Sequence, residues 1–186
     1  MGEWDLAVYH AMDDVRSAPL TFLARLLSVL GSGVVTIPLR GVVALWLALR
    51  TRWRAFAVWV LTWASAELVL AVAKAFFHRG RPTGSLVGTV GASFPSGHAV
   101  TGAATAVALV LVLMPAGPAR RRWERVAVAF AFVMATSRVY LHAHWLSDVV
   151  AGVLLGTGVA LGTAALGTEV RDHVLRRRQE PPRVPP

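Results

Sequence analysis

The sequence predicts an all-α fold, a polytopic transmembrane helical bundle of about five spans preceded by an N-terminal amphipathic helix. Three observations carry this. The chain is 55% hydrophobic and 16% charged, whereas a soluble domain is about 25% charged. Apolar stretches recur at about 33–50, 55–77, 99–114, 126–141 and 149–168, and several approach the ~20 residues that a hydrocarbon core requires. Clusters of arginine alternate with those stretches. A buried globular core would explain one such run but not five.

The elements follow in order. Residues 1–32 form an interfacial segment. Its acids, Glu3, Asp5, Asp13 and Asp14, and its lack of a basic region ahead of an apolar run exclude a signal peptide. About residues 18–30 read as an amphipathic or re-entrant helix at the outer surface, being too short to span easily. Gly31-Ser32-Gly33 is a turn, and the domain proper runs over 33–170. Its first and third stretches are short for a span. Pro115 to Pro118 makes a second turn, and 171–186 is a basic, proline-rich tail whose end, QEPPRVPP, is expected to be disordered.

Net charge is +9, which in a soluble chain would suggest nucleic acid. Here the basic residues punctuate the spans instead. Arg50, Arg52 and Arg54 follow the first stretch, and Arg120, Arg121, Arg122 and Arg125 separate the third from the fourth. Arg171, Arg176, Arg177, Arg178 and Arg183 follow the fifth. These are alternate connections, so they share one side of the bilayer, and the positive-inside rule makes it the cytoplasm. The expectation is a multi-pass protein of the inner (cytoplasmic) membrane with a cytoplasmic C-terminus. Connections 78–98 and 142–148 then face outward with the N-terminus. No nucleic-acid partner is expected, because no accessible basic face interleaves with aromatics. With no cysteine, disulfide and thiolate chemistry are unavailable.

The outward connections hold most of the informative polar residues: Lys74, His78, Arg79, Arg81, Ser96 and His98, then Ser137, Arg138, His142, His144 and Asp148. Lys74 is the single lysine against eighteen arginines. At a helix end it would ordinarily snorkel. Yet Lys74, Arg81 and Arg138 on one membrane face would repel each other unless an anion joined them, and Arg and Lys both suit phosphate oxygens. Ser96 and Gly97 open the third span, where free N–H groups and the helix dipole favour an oxyanion. An ordinary serine cap is the plainer reading of that turn. His144 and Asp148 are four apart and would share a helix face, so the carboxylate could hold one imidazole nitrogen as N–H and leave the other as a nucleophile. His98 could then protonate a leaving oxygen. His142, His144 and Asp148 could also be read as metal ligands, but the neighbouring cations disfavour a dication, so neither metal nor cofactor is expected.

These residues carry a family resemblance. Lys74 through Arg81-Pro82 (KAFFHRGRP), Pro95-Ser96-Gly97-His98, and Ser137-Arg138 through His144 to Asp148 (SRVYLHAHWLSD) resemble, in order and spacing, the three motifs of the type 2 phosphatidic acid phosphatase superfamily, which is related to the vanadium haloperoxidases. The motifs cover about 74–152, and the span pattern extends the likeness to about 33–168. The resemblance implies a phosphatase core in which His144 is the nucleophile and forms a phosphohistidine, Asp148 orients it and His98 is the acid. Lys74, Arg81, Ser96, Gly97 and Arg138 would bind phosphate without a metal. The implied substrate is a membrane lipid phosphate or diphosphate, such as undecaprenyl diphosphate, phosphatidate or phosphatidylglycerophosphate. A phosphotransferase on the same scaffold or a non-catalytic lipid-binding or transport protein is the alternative. Two features depart from the family. Many relatives have glycine near position 142, where this chain has a histidine that could reach the head group. Many also have one more span ahead of the amphipathic stretch.

Arg40 and Glu67 lie inside apolar stretches and are expensive if exposed to lipid. Their depth predicts that both sit in the bundle interior, where they could pair. The Gly152/Gly156 and Gly158/Gly162 spacings permit close helix packing, although such spacing arises easily in Ala- and Gly-rich spans and fixes no oligomeric state.

Overall fold

A computed structural model of the chain describes residues 2–179, and all the regular structure there is helical. The helices are α1 (Glu3–Asp14), α2 (Ala18–Leu30), α3 (Gly33–Leu49), α4 (Trp53–Phe76), α5 (Gly97–Leu113), α6 (Pro118–Tyr140) and α7 (Leu146–Gln179). The five apolar stretches fall on α3 to α7. The disordered end expected for QEPPRVPP lies almost wholly outside the described residues.

Among those residues, three helical stretches are long and apolar enough to cross a membrane: Ala18–Leu49, Trp53–Phe76 and Leu146–Glu169. The first is interrupted at Gly31 and Ser32, which separate α2 from α3. Helix α5 is apolar but only 17 residues long, about 25 Å. Helix α6 spends its first turns on the Arg120–Arg125 cluster and becomes apolar beyond it. Val34, Val42, Leu49, Leu68 and Leu154 project outward from their helices, giving the bundle the apolar exterior that lipid requires.

Helix α5 is central and packs on α4, α6 and α7. Near the motif residues the core is built mainly of alanine and valine: Ala99, Ala103, Ala131, Ala135, Val139, Val149 and Val153. Small side chains bring the backbones close and hold them rigidly. At the other end the core is bulkier, with Leu47 and Trp59 fully enclosed. The closest approach is between α7 and α5. A Cβ added at Gly156 would lie 2.2 Å from the Val100 carbonyl oxygen, and one at Gly152 would lie 2.9 Å from that of Ser96. Gly158 and Gly162 have open space around them, so only the first pair of glycines serves packing.

Helix α2 crosses α6 obliquely. Its start meets Tyr140, where Thr21 Oγ1 is 3.1 Å from the Tyr140 hydroxyl, and the turn that follows it meets Met134 at Gly31. The ten residues from Thr21 to Gly31, about 15 Å of rise, thus advance only about 9 Å along α6. Leu20, Phe22, Leu23 and Leu26 of this helix are exposed.

Two of the arginine clusters meet at one end of the bundle. Arg52 donates to the Val112 carbonyl at 2.8 Å, and Arg52, Arg54 and Arg120 line one cavity with Gly167 and Thr168 of α7. The connections holding the three motifs lie at the opposite end. Between the ends, Arg40 is buried and donates from Nη1 to Glu67 Oε1 at 2.9 Å, from Nε to Thr105 at 2.9 Å and from Nη2 to the Thr101 carbonyl at 3.2 Å. The two charges therefore pair. Only Arg40 occupies the interior, however. Glu67 is 48% exposed, because its helix face turns outward and the long arginine reaches across to it.

Candidate active site

The site forms where the 77–96 connection folds onto the 141–145 turn. Leu86 N–H donates to the Leu141 carbonyl at 3.0 Å, Ser93 N–H to Arg79 at 2.8 Å, and Trp145 Nε1 to Gly80 at 2.9 Å. The Ser96 amide donates to the Asp148 carbonyl at 3.0 Å, docking the start of α5 against the first turn of α7. Ala143 and His144 amides both donate to the Arg138 carbonyl, at 2.9 and 3.2 Å, closing the turn that carries His144. Asp148 stands in the first turn of α7, and His144 lies in the turn ahead of it. Their proximity thus comes from the turn rather than from a shared helix face, which corrects the helical reading of the spacing.

His144 is buried, and its partners fix its tautomer. Nδ1 lies 2.8 Å from the Ser93 carbonyl oxygen, which can only accept. Nε2 lies 3.2 Å from Arg81 Nη1, which can only donate. The proton is therefore on Nδ1, and Nε2 carries the free lone pair. Burial lowers the His144 pKa below the ordinary imidazole value. Asp148 opposes this, but Arg81 and Arg138 add to it, and the net shift favours the neutral ring. Asp148 Oδ2 is 3.5 Å from Nδ1, outside direct hydrogen-bond range, because it already accepts from Trp145 N–H at 2.9 Å and from the Ser93 hydroxyl. Asp148 thus closes the start of α7 in the manner of a capping box and steadies Ser93, which in turn holds His144.

The cations sit around this ring. Arg81 donates to the carbonyls of Val90, Gly91, Ala92 and Ala143, so its guanidinium is held in place by backbone. Lys74 Nζ donates to the same Ala92 carbonyl at 2.8 Å. Arg138 Nη1 donates to Ser28 of α2 at 2.7 Å, and its Nε is buried without a partner. Ser96 precedes α5 but makes no side-chain cap, and its Oγ is also buried without a partner. Orphaned groups of this kind cost about 1–3 kcal/mol each when nothing binds them. Gly97 begins α5 with its amide free. His98 follows it on the same turn, beside Gly31.

Four residues at positions that the motifs do not fix, Ser93, Arg79, Asp5 and Ser147, complete the arrangement. Ser93 bridges His144 and Asp148. Arg79 donates to Asp148 Oδ1 at 2.6 Å, and its other terminal nitrogen to Asp5 Oδ2 at 2.5 Å. Asp5 also accepts from the Ser147 amide and hydroxyl, at 2.9 and 2.8 Å. Burial raises the Asp5 pKa, but Ser147 and Arg79 more than offset this and hold it below the usual carboxylate value.

His142 lies beneath α1. It is fully buried, and Tyr9 of α1 stacks on it with ring centroids 4.0 Å apart, while Arg16 lies 3.1 Å from its Nδ1. Its φ of 53° is left-handed, a conformation natural to glycine and costing other residues about 1–2 kcal/mol. Helix α1 covers the turn at the point where the side chain replaces that freedom.

The family model described as the PAP2 superfamily matches residues 55–171. A search of curated proteins by sequence found no match. Among solved structures, the fold is similar to the transmembrane PAP2-type phosphatidylglycerolphosphate phosphatase of Bacillus subtilis, with a TM-score of 0.80 and 24% identity over 89% of this chain and 85% of that one. It is also similar to LpxE of Aquifex aeolicus, with a TM-score of 0.69 and 22% identity over 85% of this chain and 93% of that one. With the family model spanning well over half its length and all three motifs meeting at one end of the bundle, the chain belongs to the PAP2 superfamily and is an integral-membrane lipid phosphatase.

Proposed function

We propose that the protein hydrolyses a lipid phosphate or diphosphate monoester through a phosphohistidine on His144, without a metal. The observation that carries this is the tautomer: Ser93 holds the Nδ1 proton, and Nε2 presents its lone pair beside Arg81. Nε2 attacks phosphorus and a P–N bond forms. The bond from phosphorus to the leaving oxygen breaks, that of the lipid alcohol in a monophosphate or of the lipid phosphate in a diphosphate, and His98 gives that oxygen its proton. Water then attacks the phosphohistidine with His98 as base, the P–N bond breaks, and inorganic phosphate leaves. Lys74, Arg81 and Arg138 carry the charge of the phosphoryl oxygens, while Ser96 Oγ and the Gly97 amide supply neutral donors. The orphaned Ser96 Oγ and Arg138 Nε support this, because an anion would satisfy both. No group of three His, Asp or Glu suited to a metal occurs among the described residues, which favours the cationic site over a metal-assisted one.

The same reading has five spans, α3 to α7, with α1 and α2 at the outer surface and the motif end facing out of the cell. Residues 33–170 then form the catalytic domain, 1–32 the interfacial segment and 171–186 a cytoplasmic tail. Three arginine clusters on alternate connections support that orientation. The substrate is an amphiphile whose phosphate reaches the outer leaflet: undecaprenyl diphosphate, phosphatidate or, as named for the Bacillus subtilis relative, a phosphatidylglycerophosphate. The test is a denaturing quench at alkaline pH of the enzyme on a lipid phosphate labelled in its phosphorus, in excess chelator. An acid-labile, alkali-stable phosphoprotein should form in wild type and be absent from H144A, which should not turn over. Turnover in H144A, or activity restored only by a divalent ion, would refute the mechanism.

A further inference from the structure

We infer that Asp5, on a helix outside the family-matched region, is a positioning residue for phosphoryl transfer, acting through Arg79 and the first turn of α7 on Asp148 and His144. The inference rests on the proposed role of His144. Asp5 is only 5% exposed, and each of its oxygens is used. Oδ1 accepts the Ser147 amide, one of the free N–H groups at the start of α7, and Oδ2 accepts Ser147 Oγ and Arg79 Nη2. Arg79 in turn spans two carboxylates, because its Nη1 donates to Asp148 Oδ1 and to Ser147 Oγ. From Asp148 the contacts continue through Ser93 to Nδ1 of His144. The path is contiguous, buried for most of its length, and made of charged or directional contacts at every step.

Docking of α1 alone does not explain this arrangement. The helix has independent anchors in the Tyr9–His142 stack, the Tyr9 hydroxyl on the Thr83 carbonyl and the Arg16 contact with His142. Without Asp5, Arg79 would keep Asp148 as its one carboxylate partner, and the Ser147 amide would lose its acceptor. The α7 start, and with it the orientation of His144, would loosen. Lys74, Arg81 and Arg138 make no hydrogen bond or ion pair with the side chains of Asp5, Arg79, Ser147 or Asp148, so phosphate binding should change little.

The experiment compares D5N, D5A, D5E, R79Q and the D5N/R79Q double variant with wild type and H144A, as full-length protein in detergent, on dioctanoyl phosphatidate. D5N and D5A should lower kcat at least about tenfold, the scale expected for a small misplacement of a reacting group, with KM within about threefold. D5E should recover part of the loss. D5N should add less than about twofold to R79Q, because both act along one path. D5N is nearly isosteric and tests the charge even if D5A does not fold. Wild-type kcat in folded D5N, a change confined to KM, or independent multiplication of the D5N and R79Q losses would each overturn the inference. If H144A still turns over, the parent mechanism fails. If H144A is inactive while D5N is normal, only the role of Asp5 fails.

Discussion

Gly156→Ala tests whether close backbone contact, rather than side-chain chemistry, sets the geometry of the site. The added Cβ would stand 2.2 Å from the Val100 carbonyl oxygen and 3.0 Å from the Ala104 amide nitrogen. Both are backbone atoms of α5, so no rotamer change relieves the clash. The first distance falls about 1 Å short of ordinary van der Waals contact, and α5 and α7 must separate by about that much. Overpacking of this kind costs about 1–3 kcal/mol, of which the helix preference of alanine over glycine returns about 0.5–1. Net destabilisation should be about 1–2 kcal/mol. The rate should suffer more. Val100 lies one turn below Ser96, and a 1 Å misplacement of reacting groups costs about a hundredfold. Thermal unfolding in detergent and phosphate release from a short-chain phosphatidate measure the two effects. Gly158→Ala is the control, because nothing lies within 4 Å of its new Cβ, and it should match or slightly exceed wild-type stability with full activity. Wild-type melting and turnover in G156A, or equal damage in G158A, would refute the reasoning.

Three further outcomes are expected. Arg40→Ala should destabilise by about 3 kcal/mol and Glu67→Gln by clearly less, because the buried arginine makes hydrogen bonds to Thr105, Glu67 and Thr101 at about 1 kcal/mol each, whereas Glu67 is half exposed. Equal losses in detergent melting would contradict that asymmetry. The His144 ring, assigned by NMR difference from H144A, should titrate below about pH 6.5, the unperturbed imidazole value. The unfolded chain then binds this proton first as pH falls, so the contribution of His144 to stability rises with pH between the lowered native value and about 6.5; a midpoint above 6.5 would reverse the sign. Gly88→Cys should label with an impermeant thiol reagent from outside intact cells, and Trp53→Cys only from inside, in a chain without native cysteine. The opposite pattern would invert the proposed topology.

Much of this protein was legible in one dimension. Hydrophobic runs long enough to approach a bilayer thickness located α3 to α7, because burial in lipid is a property of local composition. The arginine clusters grouped the connections into two sets, and the motif spacings named Lys74, Arg81, Ser96, Gly97, His98, Arg138, His144 and Asp148 together. Depth raised the pairing of Arg40 and Glu67 only as a possibility, and it placed both in the interior, which holds for Arg40 alone. Only the tertiary structure decided how these groups are held. It gave the Nδ1 proton of His144 to the Ser93 carbonyl rather than to Asp148, turned Glu67 outward, and buried His142 under Tyr9. It also brought Asp5 to Arg79 from 74 residues away. The physical reason is the same in each case. Composition and spacing report what a residue prefers, but a hydrogen-bond partner is set by which donor or acceptor lies within reach at the right angle, and that depends on how α1, α5 and α7 pack.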